Sequence, residues 1–180
     1  MKATGIVRRI DDLGRVVIPK EIRRTMRIRE GDPLEIFTSS DGEVVFKKYS
    51  PIGELSDFAS TYADVLFKGT SLQVIIIDRD VCVACAGIPK KEALERRLTV
   101  KMDELLENRQ SHISHPGDGK QLYPVEGIDR TACVAIPIIA SGDVVGAVCF
   151  LTPETGAVAS DSDVKLAKTA AAFLGRQMEE

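Results

Sequence analysis

The sequence predicts an α+β protein in two parts. A small N-terminal piece combines short strands with one short helix, and a larger C-terminal part forms an antiparallel sheet flanked by helices. Up to residue 48, short apolar runs are separated by turn residues such as Asp41-Gly42. Further on, the long apolar runs ACVAIPIIA and VVGAVCFLT flank SGD, which reads as a hairpin. Stretches of helical period stand before and after these runs, so helices and paired strands share one core.

In the first part, TGIVRRI reads as a strand, DDLG as a turn and RVVI as a second strand. Pro19 ends that strand and suits the first turn of a helix, expected over Lys20 to about Arg27 before REGDP breaks it. LEIF and VVFKK then flank TSSDGE as a hairpin. A segment this short buries too little surface to hold itself together, and its strands leave open edges. A homodimer with interleaved hairpins would cover both deficits.

Charge is uneven along the chain, whose formal net charge is −3. Residues 1–48 hold 11 Lys or Arg against 8 Asp or Glu, and the first 30 hold 9 against 4. This basic excess at one end of an acidic chain suggests a polyanion site confined to that end. On the expected helix, Lys20, Arg23, Arg24 and Arg27 fall at i, i+3, i+4 and i+7 on one face, with Ile22 and Met26 on another. Like charges so placed repel by a few tenths of a kcal/mol per pair, a cost that stability gives no reason to accept. Binding does give one. Arg8, Arg9 and Arg15 join the same surface if the DLG turn folds the strand back, and the spacing does not choose between Arg8 and Arg9.

After Ser50-Pro51, Leu55, Phe58, Tyr62 and Val65 mark a linking helix to about residue 69. Its apolar stripe suits either a copy of itself or the C-terminal part. LQVIIID and VCVACAG follow as strands around DRD, then one helical stretch from about Lys90 to Gln110, a polar loop SHISHPGDGK, and the two long strands. A capping box at Ser160 and Asp163 opens the last helix. The expectation is a sheet with its helices to one side.

No apolar run reaches the roughly 18 residues of a membrane span, and the start MKATGIVRRI has no apolar leader region, so a cytoplasmic protein is expected. The four cysteines sit in apolar segments, where reduced burial is the expectation. On a regular strand Cys82 and Cys85 point to opposite faces and share neither a disulfide nor a metal. His112 and His115 form an H-x-x-H pair beside Asp118, but Pro116 and Gly117 break any helix there, so no metal site is expected. No phosphate-cradling glycine motif and no convergent acid, base and nucleophile are present; neither an enzyme nor a bound cofactor is expected.

The run GIVRRIDDLGRVVIPKEIRRTMRIREGDPLEIF closely resembles the swapped-hairpin DNA-binding domain of the AbrB family of bacterial transition-state regulators, over residues 1–50. The resemblance implies an interleaved dimer with a β-barrel-like core. It also implies contacts with double-stranded DNA through Arg8, Arg15, Arg23 and Arg24, to which the charge pattern adds Lys20, Arg27 and Arg9. With residues 51–69 as linker, the element order over 70–180 resembles a GAF domain. An AbrB-type head before a GAF-like domain resembles a family of transcription regulators of spore development. That implies a homotetramer joined by the C-terminal domains, both activation and repression, and a place in the forespore. GAF domains commonly hold a small molecule, so an unidentified ligand is a further expectation. An antitoxin is the competing reading, since the swapped-hairpin fold also neutralises toxins, but residues after 50 are periodic and capped, unlike a tail that folds on binding. A thiol enzyme is a weaker alternative.

Overall fold

The computed structural model describes residues 4–115, 117, 119 and 121–179. The chain divides into two compact units, Met1–Tyr49 and Ser50–Glu180.

In the first unit, α1 (Lys20–Thr25) is followed by an antiparallel hairpin of β1 (Leu34–Thr38) and β2 (Val44–Lys48), with Thr38 opposite Val44. Gly42 closes the turn at φ +79°, donating its N–H to the Ser39 carbonyl. Residues 4–10 and 15–18, expected as strands, form no ladder within this chain. A strand needs a partner backbone, and here these segments have none. Their apolar side chains stand exposed, Val7 at 84%, Ile10 at 70% and Val17 at 71%. Among the described residues of this unit, only Pro19 is buried.

The second unit begins with α2 (Pro51–Glu54) and α3 (Ser56–Thr70), followed by β3 (Val74–Ile77) and β4 (Cys82–Ala86). Next come α4 (Lys90–Ala93), α5 (Val100–Glu107), β5 (His112–Ile113), β6 (Ala132–Ala140), β7 (Asp143–Leu151) and α6 (Asp161–Gln177). The strands form one sheet in the order β4-β3-β7-β6-β5, every pair antiparallel. Ala59, Ala63 and Leu66 of α3 and Ala167, Ala170 and Leu174 of α6 pack on one face with Val74, Ile76 and Phe150. The expected linking helix thus packs on its own sheet, but through Ala59, Ala63 and Leu66, while Phe58 and Val65 of the expected stripe stand exposed. Gly175 lets α6 approach closely, since a Cβ there would collide with the Ile139 carbonyl oxygen.

The other face is covered too, by Met102 and Leu106 of α5 with Leu98, Leu122 and Val125 over Ile75, Ile77 and Ala147. Helices on one side only was the expectation. The unbroken apolar run of β3 suits burial on both faces instead. Nor is Lys90 to Gln110 one helix. Glu95 adopts φ +61°, its N–H bonded to the Cys82 carbonyl, and Thr99 caps a new helix by accepting from Met102 N at 3.2 Å.

The bulge in β4 corrects the cysteine geometry. Ile76 pairs with Ala84 but Ile77 with Cys82, so Val83 is an extra residue and the alternation skips one place. Cys82 and Cys85 therefore share the face that also holds Cys149. All four thiols are free and buried. Burial pushes Cys133 up to about 11 and Cys149 up to about 12, and raises Cys82 and Cys85 as well. Such thiols are poor nucleophiles.

Candidate nucleic-acid interface

The seven basic residues singled out in the sequence all lie in the first unit, on its turn, its helix and the flanking segments. Asp11 organises the turn: its Oδ1 accepts from Leu13 N at 3.0 Å and Arg15 N at 2.7 Å, while Gly14 takes φ +76°. Its Oδ2 receives Arg15 Nε at 2.8 Å, an exposed ion pair. Arg15, backbone N–H first and side chain second, holds the Asp11 carboxyl below its ordinary value. Arg8 is exposed and, among the described residues, bonds only the neighbouring Val7 carbonyl, at 3.3 Å; Arg9 is exposed as well.

On α1, Lys20 and Arg24 are exposed, whereas Arg23 is half-buried with its Nε enclosed and unbonded. An enclosed guanidinium N–H without an acceptor costs roughly 1–3 kcal/mol, more for a charged group, until a partner supplies one. Among the described residues, Arg15 alone of the seven holds a carboxylate.

Arg27 corrects the expected helical face. The helix ends at Thr25, and Arg27 takes φ +52°. Ile28 N bonds the Arg23 carbonyl at 2.7 Å and Arg27 N the Arg24 carbonyl at 3.3 Å, which is a Schellman closure with arginine in the left-handed position usually given to glycine. Arg27 remains exposed, but off the helix face. Met26, expected on the apolar face beside half-buried Ile22, is 60% exposed. The enclosure of Arg23 Nε is a feature that no spacing rule reveals.

The arrangement presents a run of cations over residues 8–27, most of them without counter-ions among the described residues, on a unit with an uncovered apolar surface. Elsewhere, among the described residues, no group of His, Cys, Asp and Glu could hold a metal, and no helix is long and apolar enough to cross a membrane. Pro116 and Asp118, noted beside the histidine pair, lie outside the described residues.

Comparison with known proteins matches both units. A family model described as MazE, an antidote-toxin recognition bacterial antitoxin, matches residues 7–53. The solved N-terminal DNA recognition domain of the Bacillus subtilis regulator AbrB is 59% identical, covering 28% of this chain and 94% of that chain, with a TM-score of 0.25. A GAF domain from an Acinetobacter phosphoenolpyruvate-protein phosphotransferase covers 69% of this chain and 81% of that one at 11% identity and a TM-score of 0.52, a likeness of fold. Stage V sporulation protein T of Bacillus subtilis is 50% identical over 182 residues, spanning all of both chains. The model of that protein's C-terminal region, described as a transcription factor, matches residues 54–179. With the relationship running from end to end and the family model covering most of the second unit, the chain belongs to the stage V sporulation protein T family.

Proposed function

We propose that the chain is a transcription regulator of sporulation genes that binds double-stranded DNA through an interleaved N-terminal dimer. The observation carrying this reading is the pairing of exposed cations at Arg8, Arg9, Lys20 and Arg24 with a unit that buries almost nothing by itself. A second copy would cover Val7, Ile10, Leu13 and Val17 and bring two arginine sets onto one surface. The AbrB likeness, at 59% identity with a DNA recognition domain, supports the ligand. Phosphate contacts would supply most of the affinity, and DNA shape part of the specificity.

Residues 1–50 form the DNA-binding domain in this proposal and 70–180 the GAF-like assembly domain. Phe58, Tyr62 and Phe173 bring α3 and α6 together, with ring centroids 5.3–6.0 Å apart, and leave Phe58 and Phe173 partly exposed. Joining such faces would turn two dimers into a homotetramer that engages two DNA sites, raising avidity through effective concentration. Activation at some genes and repression at others, in the forespore cytoplasm, follows from the family likeness. The protein is a regulator without catalytic activity; its buried thiols with raised pKa values support that reading.

The antitoxin reading has the MazE match in its favour, but that match stops at residue 53, just inside the folded second unit that begins at Ser50. Gel shifts with promoter fragments, combined with native mass spectrometry, test the proposal. Shifted DNA and a tetramer that Phe58→Ser with Phe173→Ser reduces to a dimer are expected. A co-purifying toxin without a DNA shift would overturn it.

A further inference from the structure

Where β6 begins and β7 ends, the second unit opens a cleft of about 370 Å³, within the span of small-molecule sites. Tyr123, Asp129, Arg130, Thr131, Thr152 and Glu154 line it. Its walls are fixed. Thr152 N donates to the Thr131 carbonyl at 2.8 Å, and the two threonine hydroxyls meet at 2.9 Å. The Arg130 guanidinium is tethered: Nη1 donates to Gln73 Oε1 at 2.6 Å, and Gln73 Nε2 donates in turn to the Gly87 carbonyl at 3.1 Å. Gly87 takes φ +79°, and a side chain there would strike the Phe67 ring and crowd Gln73.

The charges decide what fits. One guanidinium and two carboxylates, Asp129 and Glu154, line the same cleft, yet among the described residues none of them holds an ion pair. Exposed ion pairs are worth at most about 1 kcal/mol, so side chains such as these are readily free to meet a ligand instead. Here the tether to Gln73 keeps the cation in place, and both signs remain available to a third party. A simple anion entering the cleft meets two carboxylates, and a simple cation meets Arg130. A molecule carrying both signs a few bonds apart satisfies both.

We propose that this cleft binds a small zwitterion, a free α-amino acid, with its carboxylate on Arg130 and its ammonium group on Asp129 and Glu154. A guanidinium is the side chain best shaped to take a carboxylate two-pronged, and Arg130 keeps Nη2 and Nε for that purpose. The proposal does not depend on DNA binding, since ligand binding alone tests it.

The full-length chain is titrated with each of the twenty free L-amino acids, followed by ligand-observed NMR and calorimetry. The tightest binder is then compared with its decarboxylated amine and its deaminated acid. One amino acid is expected to saturate the protein with a Kd below about 1 mM, and both truncated counterparts to bind at least about tenfold more weakly. Arg130→Gln should abolish binding. Asp129→Asn with Glu154→Gln, at two exposed positions, should weaken it by at least about tenfold while circular dichroism stays unchanged. No saturable binding up to about 10 mM overturns the proposal. So does a deaminated acid that binds as well as its amino acid, or binding that survives both variants.

Discussion

The Asp11 carboxylate receives the side-chain Nε of Arg15 at 2.8 Å and the backbone N–H of the same residue at 2.7 Å, so one acid both shapes the turn and occupies the cation. A phosphate approaching Arg15 has to displace that carboxylate. Asp11→Asn keeps an oxygen for the backbone bonds and removes the competing charge. DNA affinity measured by fluorescence anisotropy should rise several-fold, with the circular dichroism spectrum unchanged. The pH dependence has a definite sign. A lowered carboxyl pKa stabilises the turn at pH values above the ordinary aspartate range, near 3.9, and that contribution is lost as pH falls further. The amide signals of Leu13 and Arg15 should move together below about pH 4.

Arg24 and Arg23 should respond differently. Arg24 is exposed and unpaired, so Arg24→Ala should weaken DNA binding about tenfold, with dimerisation and melting temperature unchanged. Arg23→Ala removes an enclosed donor that lacks an acceptor, so it should also weaken binding but leave the free protein equally stable or slightly more so. If six to eight phosphates are neutralised per dimer, log K falls against log salt with a slope of about −5 to −7. A slope near zero would rule out the phosphate-led mechanism.

Arg27 offers a way to separate charge from backbone. Glycine is the residue best suited to its left-handed position, so Arg27→Gly should stabilise the first unit by up to about 1 kcal/mol by chemical denaturation, while Arg27→Ala should not. Both variants lose the charge. DNA binding that falls equally in both assigns Arg27 to the interface, and binding unchanged in both removes it.

The four buried thiols should be silent in the native protein. Ellman's reagent at pH 8 should label none of them quickly and all four after guanidinium denaturation. Their pKa values are raised in the folded state, up to about 11 at Cys133 and about 12 at Cys149, so the stability they confer is complete below about pH 8.5 and declines as pH rises toward those values. Urea midpoints should therefore fall between pH 9 and 11, and a Cys149→Ala variant should show a shallower decline.

Local chemistry was the legible part of this chain. Asp41-Gly42 made its turn, Ser160 and Asp163 made their reciprocal cap, and the arginine-rich segment lay open to solvent. Misread features depended on a single residue breaking a period or on something outside one chain. Val83 shifts β4 by one place and reverses the reading of Cys82 and Cys85, and strand alternation contains no signal for a bulge. Arg27 sits where the helix closes in a left-handed turn, a position at which sequence leads one to look for glycine. Residues 4–10 and 15–18 look like strands because, in the proposed assembly, they are built for a ladder whose second backbone belongs to another molecule. The enclosure of Arg23 arises from tertiary packing, which residue spacing does not encode.

The near absence of interior in the first unit has a consequence for dosage. On the proposed assembly, the DNA-reading half folds only as two chains meet, so its melting temperature climbs with total protein. Occupancy of a promoter would then follow the square of chain abundance at low expression, giving a threshold instead of a proportional response.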